Sequence, residues 1–474
     1  MFLLTFTIVC GNIIMNKYVR TATFVVCTER KGFLMKIGFV SLGCPKNQLD
    51  VEVMLHEVVS AGYEITPDET EAEIIIINTC GFIESAKQEA IDEILNIAEL
   101  KEGKLKKLIV TGCLAQRYGA DILENFPDEV DAVVGVFCFD KICDIVCETL
   151  KGAKKVYLEK NDKENFNNLP RIQTTPFYYA YLKIAEGCNN RCAYCAIPKI
   201  RGGYVSREMN SLVKEAETLA SNGVTELIVV AQDTTRYGID LYGENMLIPL
   251  LEKLSEIDGI KWIRLHYLYP EMIDEKLLYY IRDNKKIVNY FDIPIQHIND
   301  RILKLMNRRS DRAQIEALMK NIRRILPDAA IRTTVITGFP SETDEEFEEL
   351  YEFIKEIEFD RLGSFAFSKE EGTAAYSLKP QIPKKTKEQR NNRIMKLQSE
   401  IMEKNNQLQI GKTYEVLVEG FHNEYGVYFG RTYKDSVDID GMVMFESESP
   451  IEFGDYVTVE ITGADGYDLT GKIK

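Results

Sequence analysis

From Lys36 onward, short β-rich runs alternate with amphipathic helical runs. That alternation commits most of the chain to parallel α/β architecture, because a parallel strand needs a crossover helix to reach its neighbour. Residues 36–42, 73–78, 107–111 and 130–134 read as four strands of an N-terminal open parallel sheet. The clearest helix among them, residues 84–100, would lay Ala90, Ile91, Ile94, Leu95 and Ala98 on one face. A polar stretch with two prolines, residues 162–176, reads as a linker. Beyond it come strand patterns at 181–185, 226–231, 261–265, 290–295, 331–337 and 361–367, again separated by helical segments. Six such units predict an open (β/α)6 barrel, which leaves a lateral mouth for a bulky substrate. Residues 411–474 alternate apolar and polar positions between Gly, Asn and Asp turns, the pattern of a small antiparallel β-barrel.

Two sets of cysteines stand out against this frame. Cys188, Cys192 and Cys195 lie in EGCNNRCAYCAIP, spaced CxxxCxxC, directly after the first barrel strand. Three thiolates on one loop suit an iron–sulfur cluster, and three ligands on a four-iron cluster leave one iron open. Structural zinc would ask for a fourth Cys or His nearby, and none follows. Cys44, Cys80 and Cys113 sit in SLGCPKN, INTCGF and VTGCLAQ, each one or two residues past a strand. In an open parallel sheet the carboxyl ends of the strands share one edge, where ligands bind. Three thiols more than thirty residues apart in sequence can therefore converge, and a second cluster is expected there. Cys10, Cys27, Cys138, Cys143 and Cys147 lack that register, and the last three are expected to be helix packing.

The 474 residues, 45% of them hydrophobic, suggest about three domains. Eleven cysteines scattered through strand and helix patterns fit a reducing cytoplasm better than a disulfide scaffold. A formal charge of −16 argues against a large nonspecific nucleic-acid surface. Residues 411–474 carry five Lys or Arg against thirteen Asp or Glu, a net of −8, so this barrel should attract a basic protein rather than phosphate. The apolar run in residues 2–9 lacks a positive flank and is too short to span a bilayer, and no membrane is expected as a partner. Residues 1–34 are expected to be an extension, mis-assigned or disordered, with Met35 as the true start.

Polar residues gather where the barrel strands end: Gln232 with Asp233, His266, Gln296 with His297, and Gly338. Ser341 and Thr343 before DEEFEELYEFIKEIEF read as a helix start, so the acids at 344–349 are a cap and a solvated face rather than a metal site. The basic connector KPQIPKKTKEQR at 379–390 reads as solvated, or as a contact for a ribosome or RNA.

The phrases SLGCPKNQLDVE, EGCNNRCAYCAIPKIRGGYVSRE, AQDTTRYGIDLYG, RLHYLYP, DIPIQHINDRILKLMNRR, TGFPSET and GRTYKDSVDIDG resemble the methylthiotransferase family from about Met35 to the C-terminus. Within it they resemble the branch that methylthiolates the β-carbon of an aspartate in small-subunit ribosomal protein S-twelve. The resemblance implies an N-terminal methylthiotransferase domain (35–161), a radical S-adenosylmethionine (radical SAM) barrel (177–378), a connector and helix (379–410) and a TRAM domain (411–474). It implies two 4Fe-4S clusters, one on Cys188, Cys192 and Cys195 and one on Cys44, Cys80 and Cys113. It also implies S-adenosyl-L-methionine as cofactor, an electron donor, and the ribosomal protein, free or on the ribosome, as substrate. Tyr194, the aromatic residue before the third Cys of the run, is a candidate for holding S-adenosylmethionine together with Gln232, Asp233 and Gly338. His266 and His297 are candidates for direct roles on the same rim. Ser341 departs from the Gly that the family often has in that phrase. A tRNA adenosine methylthiotransferase and a non-catalytic iron–sulfur RNA-binding protein are the alternatives, and the acidic terminal barrel argues against the first.

Overall fold

The computed structural model describes residues 35–160, 167 and 169–474. The expectations for residues 1–34, with Cys10 and Cys27, and for much of the linker lie outside these. The chain divides into two compact units. One runs to Thr174 and also takes Cys195–Gly203; the other comprises Thr175–Tyr194 and Tyr204–Lys474.

The first unit is a six-stranded sheet in the order β2-β1-β3-β4-β5-β6, parallel throughout. The strands are β1 (Lys36–Ser41), β2 (Glu64–Ile65), β3 (Ile74–Thr79), β4 (Lys107–Gly112), β5 (Ala132–Val134) and β6 (Lys155–Tyr157). Every residue of β3 is buried, as a parallel strand covered by helices on both faces requires. The helix Glu84–Ala98 packs on this sheet through Ala90, Ile94 and Ile97. Leu95, expected on that face, is instead 40% exposed. It follows Ile94 by one residue, about 100° around the helix, so the inward stripe passes it by. Cys143 and Cys147 do lie on a helix, Ile142–Leu150, whereas Cys138 is buried just ahead of it.

The second unit begins with six parallel strands that neighbour one another in chain order: β7 (Tyr179–Lys183), β10 (Glu226–Val230), β11 (Trp262–Leu265), β12 (Ile287–Asp292), β13 (Ala330–Thr337) and β14 (Arg361–Ala366). The first and last are not paired with each other, so the barrel is open. Strand β7 starts two residues before the expected position. The chain then leaves the sheet, and β8 (Ala185–Glu186) pairs antiparallel with β9 (Val205–Ser206) instead. Thr343 caps the helix Asp344–Ile357 in a reciprocal capping box with Glu346. The helix Lys384–Gln407 buries Ile394, Leu397 and Ile401 in the barrel core. Arg390, in the basic connector, is not solvated as expected: it is buried against Glu342 and Asp344, at 2.6 Å from each.

The C-terminal strands β15 (Thr413–His422), β16 (Val427–Arg431), β17 (Val443–Glu446), β18 (Tyr456–Asp465) and β19 (Asp468–Ile473) close a barrel in the order β15-β16-β17-β19-β18. The expected antiparallel pairing holds at every seam except β17 with β19, which is parallel. Its core is Val416, Val418, Val443, Phe445, Val459 and Ile461. The GRTYKDSVDIDG loop between β16 and β17 enters the open barrel and meets charged groups on its strands. Glu226 pairs with Arg264 at 2.8 Å and with Arg431 at 2.7 Å. Arg361 pairs with Asp435, and Tyr290 donates to Asp440 at 2.6 Å.

Candidate active site

The N-terminal thiols sit where three neighbouring strands end. Cys44 caps the helix Pro45–Ser60, Cys80 follows β3, and Cys113 opens the helix Cys113–Asn125 after β4. Two of them thus lie at helix N-termini, whose partial positive charge favours a thiolate. Asn47 joins the three loops. Its Nδ2 donates to the carbonyls of Leu42 (3.3 Å) and Thr79 (3.1 Å). Its Oδ1 lies 3.9 Å from Cys44 Sγ and 3.6 Å from Cys113 Sγ. Glycine makes the close approach possible. A Cβ on Gly81 would lie 2.7 Å from Leu114 Cα, and one on Gly112, whose φ is +98°, would lie 2.3 Å from Asn78 Oδ1. Burial pushes the Cys80 thiol up to about 12, helped by Cys44 and Cys113 beside it. Burial also raises Cys113, with the Arg201 guanidinium acting against it. Such thiols stay protonated alone and deprotonate on a metal. Three sulfur donors at neighbouring strand ends, two of them at helix N-termini, are a donor set that suits an iron–sulfur cluster.

In the second unit, Cys188 and Cys192 are buried on the loop after β8. Their sulfurs already face donors: the Asn190 N–H lies 3.4 Å from Cys188 Sγ, Arg308 Nη1 3.8 Å from Cys192 Sγ, and the Tyr269 hydroxyl 4.0 Å from Cys192 Sγ. Arg308 also lies over the Tyr269 ring, 4.5 Å from its centroid. Burial raises Cys188 to about 11. In the segment Cys195–Gly203 the Ile197 N–H points to Cys195 Sγ at 3.4 Å. N–H···S contacts of this kind stabilise sulfur that carries negative charge, and they help set a cluster's potential.

Beside this loop the strand-end residues form a polar nest. Gln232 Nε2 donates to Glu186 Oε1 at 2.9 Å, and Lys183 pairs with Glu186 at 3.0 Å. Asp233 is fully buried; it accepts from Asn190 Nδ2 at 2.7 Å and lies 3.1 Å from Arg236. Burial raises its pKa, while Thr235, Asn190 and Arg236 oppose the rise. Gln232 Oε1 and Asn190 Oδ1 are buried acceptors without a hydrogen bond. An orphan acceptor is costly unless a ligand meets it, so the nest fits a ligand rich in donors, such as the ammonium and ribose hydroxyls of S-adenosylmethionine.

The other candidates fall elsewhere. Tyr194 is half-buried against the cluster of Ile302, Met306, Phe339 and Phe367. The Gly338 N–H is taken by Glu342 Oε2 at 2.8 Å; its φ of +69° and a Cβ position 2.4 Å from Lys387 Cγ both call for glycine here. His266 contacts Ser436 Oγ at 2.8 Å, in the loop from the terminal barrel. His297 is fully buried, accepts from the Asn299 N–H at 3.0 Å, and is pushed down to about 3 by burial, which keeps it neutral. Asn47, Glu186, Asn190, Arg201 and Arg308 were not singled out from the sequence. All but Arg308 lie within six residues of a candidate thiol, which is the signal that would have found them.

Comparisons with known proteins bear on both sites. Family models match residues 36–135 (Uncharacterized protein family UPF0004), 182–354 (Radical SAM superfamily) and 410–473 (TRAM domain). The ribosomal protein uS12 methylthiotransferase RimO of Acetivibrio thermocellus is 50% identical over 449 residues, 92% of this chain and 98% of that protein. The protein of the same name from Clostridioides difficile is 49% identical over 441 residues, 93% of this chain and 99% of that one. Among solved structures, the radical S-adenosylmethionine methyltransferase TsrM of Kitasatospora setae aligns with a TM-score of 0.52 at 14% identity. The alignment covers 69% of this chain and 72% of that chain, a likeness of fold alone.

Proposed function

The chain belongs to the RimO family of radical SAM methylthiotransferases, and from that premise we propose that it methylthiolates the β-carbon of an aspartate in small-subunit ribosomal protein uS12. In this reading Cys188, Cys192 and Cys195 hold one 4Fe-4S cluster and Cys44, Cys80 and Cys113 hold a second. Residues 35–161 carry the second cluster, 177–378 the radical chemistry, and 411–474 a face for the substrate. The β C–H bond of aspartate is unactivated, beyond the reach of ordinary acid–base side chains, and the bound clusters with S-adenosylmethionine supply the one-electron chemistry and the sulfur.

The residues of the chain supply the rest. Arg308 and the N–H groups of Asn190 and Ile197 face the thiolates. Gln232, Asn190 and Asp233 orient the cofactor, and the open barrel admits a protein loop and excludes water around it. The acidic terminal barrel suits a basic substrate such as a ribosomal protein. An electron donor is the remaining partner. Free thiols as ligands suit the reducing cytoplasm, and no helix among the described residues is long and apolar enough to cross a membrane.

The observation that carries this reading is the pair of thiol triplets, one at three neighbouring strand ends and one on the CxxxCxxC loop. It is tested with Cys192→Ala. The variant should lose reductive cleavage of S-adenosylmethionine and leave the uS12 aspartate unmodified, while iron on the N-terminal triplet persists. Methylthio-adenosine in tRNA that depends on this gene, with uS12 unchanged, would move the assignment to the tRNA branch.

A further inference from the structure

Arg201 is 1% exposed, among the most deeply buried charges in the protein. It lies in the Cys195–Gly203 segment, which folds with the first unit, six residues after Cys195. Its Nη2 donates to Asn47 Oδ1 at 2.7 Å and to Asp50 Oδ2 at 2.8 Å. That Asn47 oxygen is the same atom that Cys44 Sγ and Cys113 Sγ approach at 3.9 and 3.6 Å. An arginine does not shed its proton in a protein, so a full positive charge is fixed at the Asn47 oxygen that two of the three thiols approach. Asp50 balances it while the thiols are neutral. Once three thiols become thiolates around a cluster, the balance tips, and the guanidinium is a buried cation facing added negative charge. Arg201 is the guanidinium donor on the Asn47 oxygen, while Asn47 Nδ2 is tied to the Leu42 and Thr79 carbonyls.

We infer that Arg201 is a positioning residue for the N-terminal cluster, fixing Asn47 against it and supplying the buried charge that favours its reduced form, with Asp50 moderating that charge. The inference rests on the reading that Cys44, Cys80 and Cys113 hold a cluster. Charge and hydrogen bonding near the sulfurs are among the levers that set such a potential. A cation favours the state with the extra electron. Removing it must move the midpoint potential negative, and neutralising Asp50 must move it positive.

The test uses the full chain with Cys188, Cys192 and Cys195 replaced by Ala, so that one cluster remains, reconstituted with iron and sulfide. Iron per chain, the paramagnetic resonance spectrum of the reduced protein and the midpoint potential are then measured. Arg201→Met is expected to shift the potential negative and Asp50→Asn to shift it positive, with Arg201→Lys close to the parent. A purely structural role would not give opposite signs. If Arg201→Met does not fold, Asp50→Asn decides: a positive shift supports the inference and an unmoved potential overturns it. A cluster present in both variants with unchanged potential and spectrum, or shifts of the same sign, overturns it as well. A parent chain that takes up no cluster overturns the reading beneath it, and the inference falls with that reading.

Discussion

Glu226 offers the sharpest test of how the terminal barrel is seated. It is fully buried between Arg264 and Arg431, with carboxylate–guanidinium distances of 2.8 and 2.7 Å. Burial alone would raise its pKa, yet the two arginines hold it down at about 2, against an ordinary 4.5. A depression of that size corresponds to about 3 kcal/mol. Replacing Glu226 by Gln keeps the shape and removes the charge, leaving two buried guanidinium groups around a neutral amide. Breaking a buried pair in this way typically costs about 3–5 kcal/mol. The contribution of a depressed carboxylate is present above its unfolded pKa and is lost as pH falls toward its folded value. The difference between parent and Glu226→Gln should therefore be full at pH 7 and shrink between about pH 4.5 and pH 2. Trp262, the single tryptophan of the chain, packs edge-on against Tyr456 at 4.9 Å, at the junction of the two barrels. Its fluorescence during urea denaturation reports on this junction. A Glu226→Gln chain within about 1 kcal/mol of the parent at pH 7 would refute the reasoning.

Three further outcomes follow from the same geometry. Gly112→Ala puts a Cβ 2.3 Å from Asn78 Oδ1 at a φ of +98° and should destabilise the first unit by about 2–4 kcal/mol, read by denaturation, with loss of iron from the N-terminal thiols. Ser341 has a φ of +67°, which explains a family preference for Gly; Ser341→Gly should be stabilising by up to about 1 kcal/mol, because relieved strain outweighs the lost hydrogen bond from Arg301 at 3.0 Å. Arg308→Met removes a charged donor 3.8 Å from Cys192 Sγ and should slow S-adenosylmethionine cleavage about tenfold or more, measured by product release in single-turnover assays.

Much of the architecture was legible because parallel strands are continuous apolar runs: residues 74–77 are four consecutive isoleucines, and all are fully buried. The strand-end position of Cys44, Cys80 and Cys113 was legible for the same reason, since a strand boundary tells which edge a following residue reaches. What escaped depends on contacts distant in sequence. Arg201 meets Asn47 across 154 positions, through a segment that folds back onto the first unit, and no local pattern announces that return. Nothing local in the GRTYKDSVDIDG phrase announces that its charges meet Glu226 and Arg361. The parallel seam between β17 and β19 was missed because alternation marks a strand but not its direction. His266 and His297 read as rim residues by register, but their surroundings, a serine from the terminal barrel for one and a fully buried position that keeps the imidazole neutral for the other, come from contacts distant in sequence.

The most direct test of the central claim is mass spectrometry of tryptic peptides of ribosomal protein uS12 from host cells with and without this gene. The account predicts a methylthio increment on one aspartate that disappears in the deletion and returns with the intact gene but not with Cys192→Ala. An unmodified aspartate in cells that carry the intact gene would contradict it.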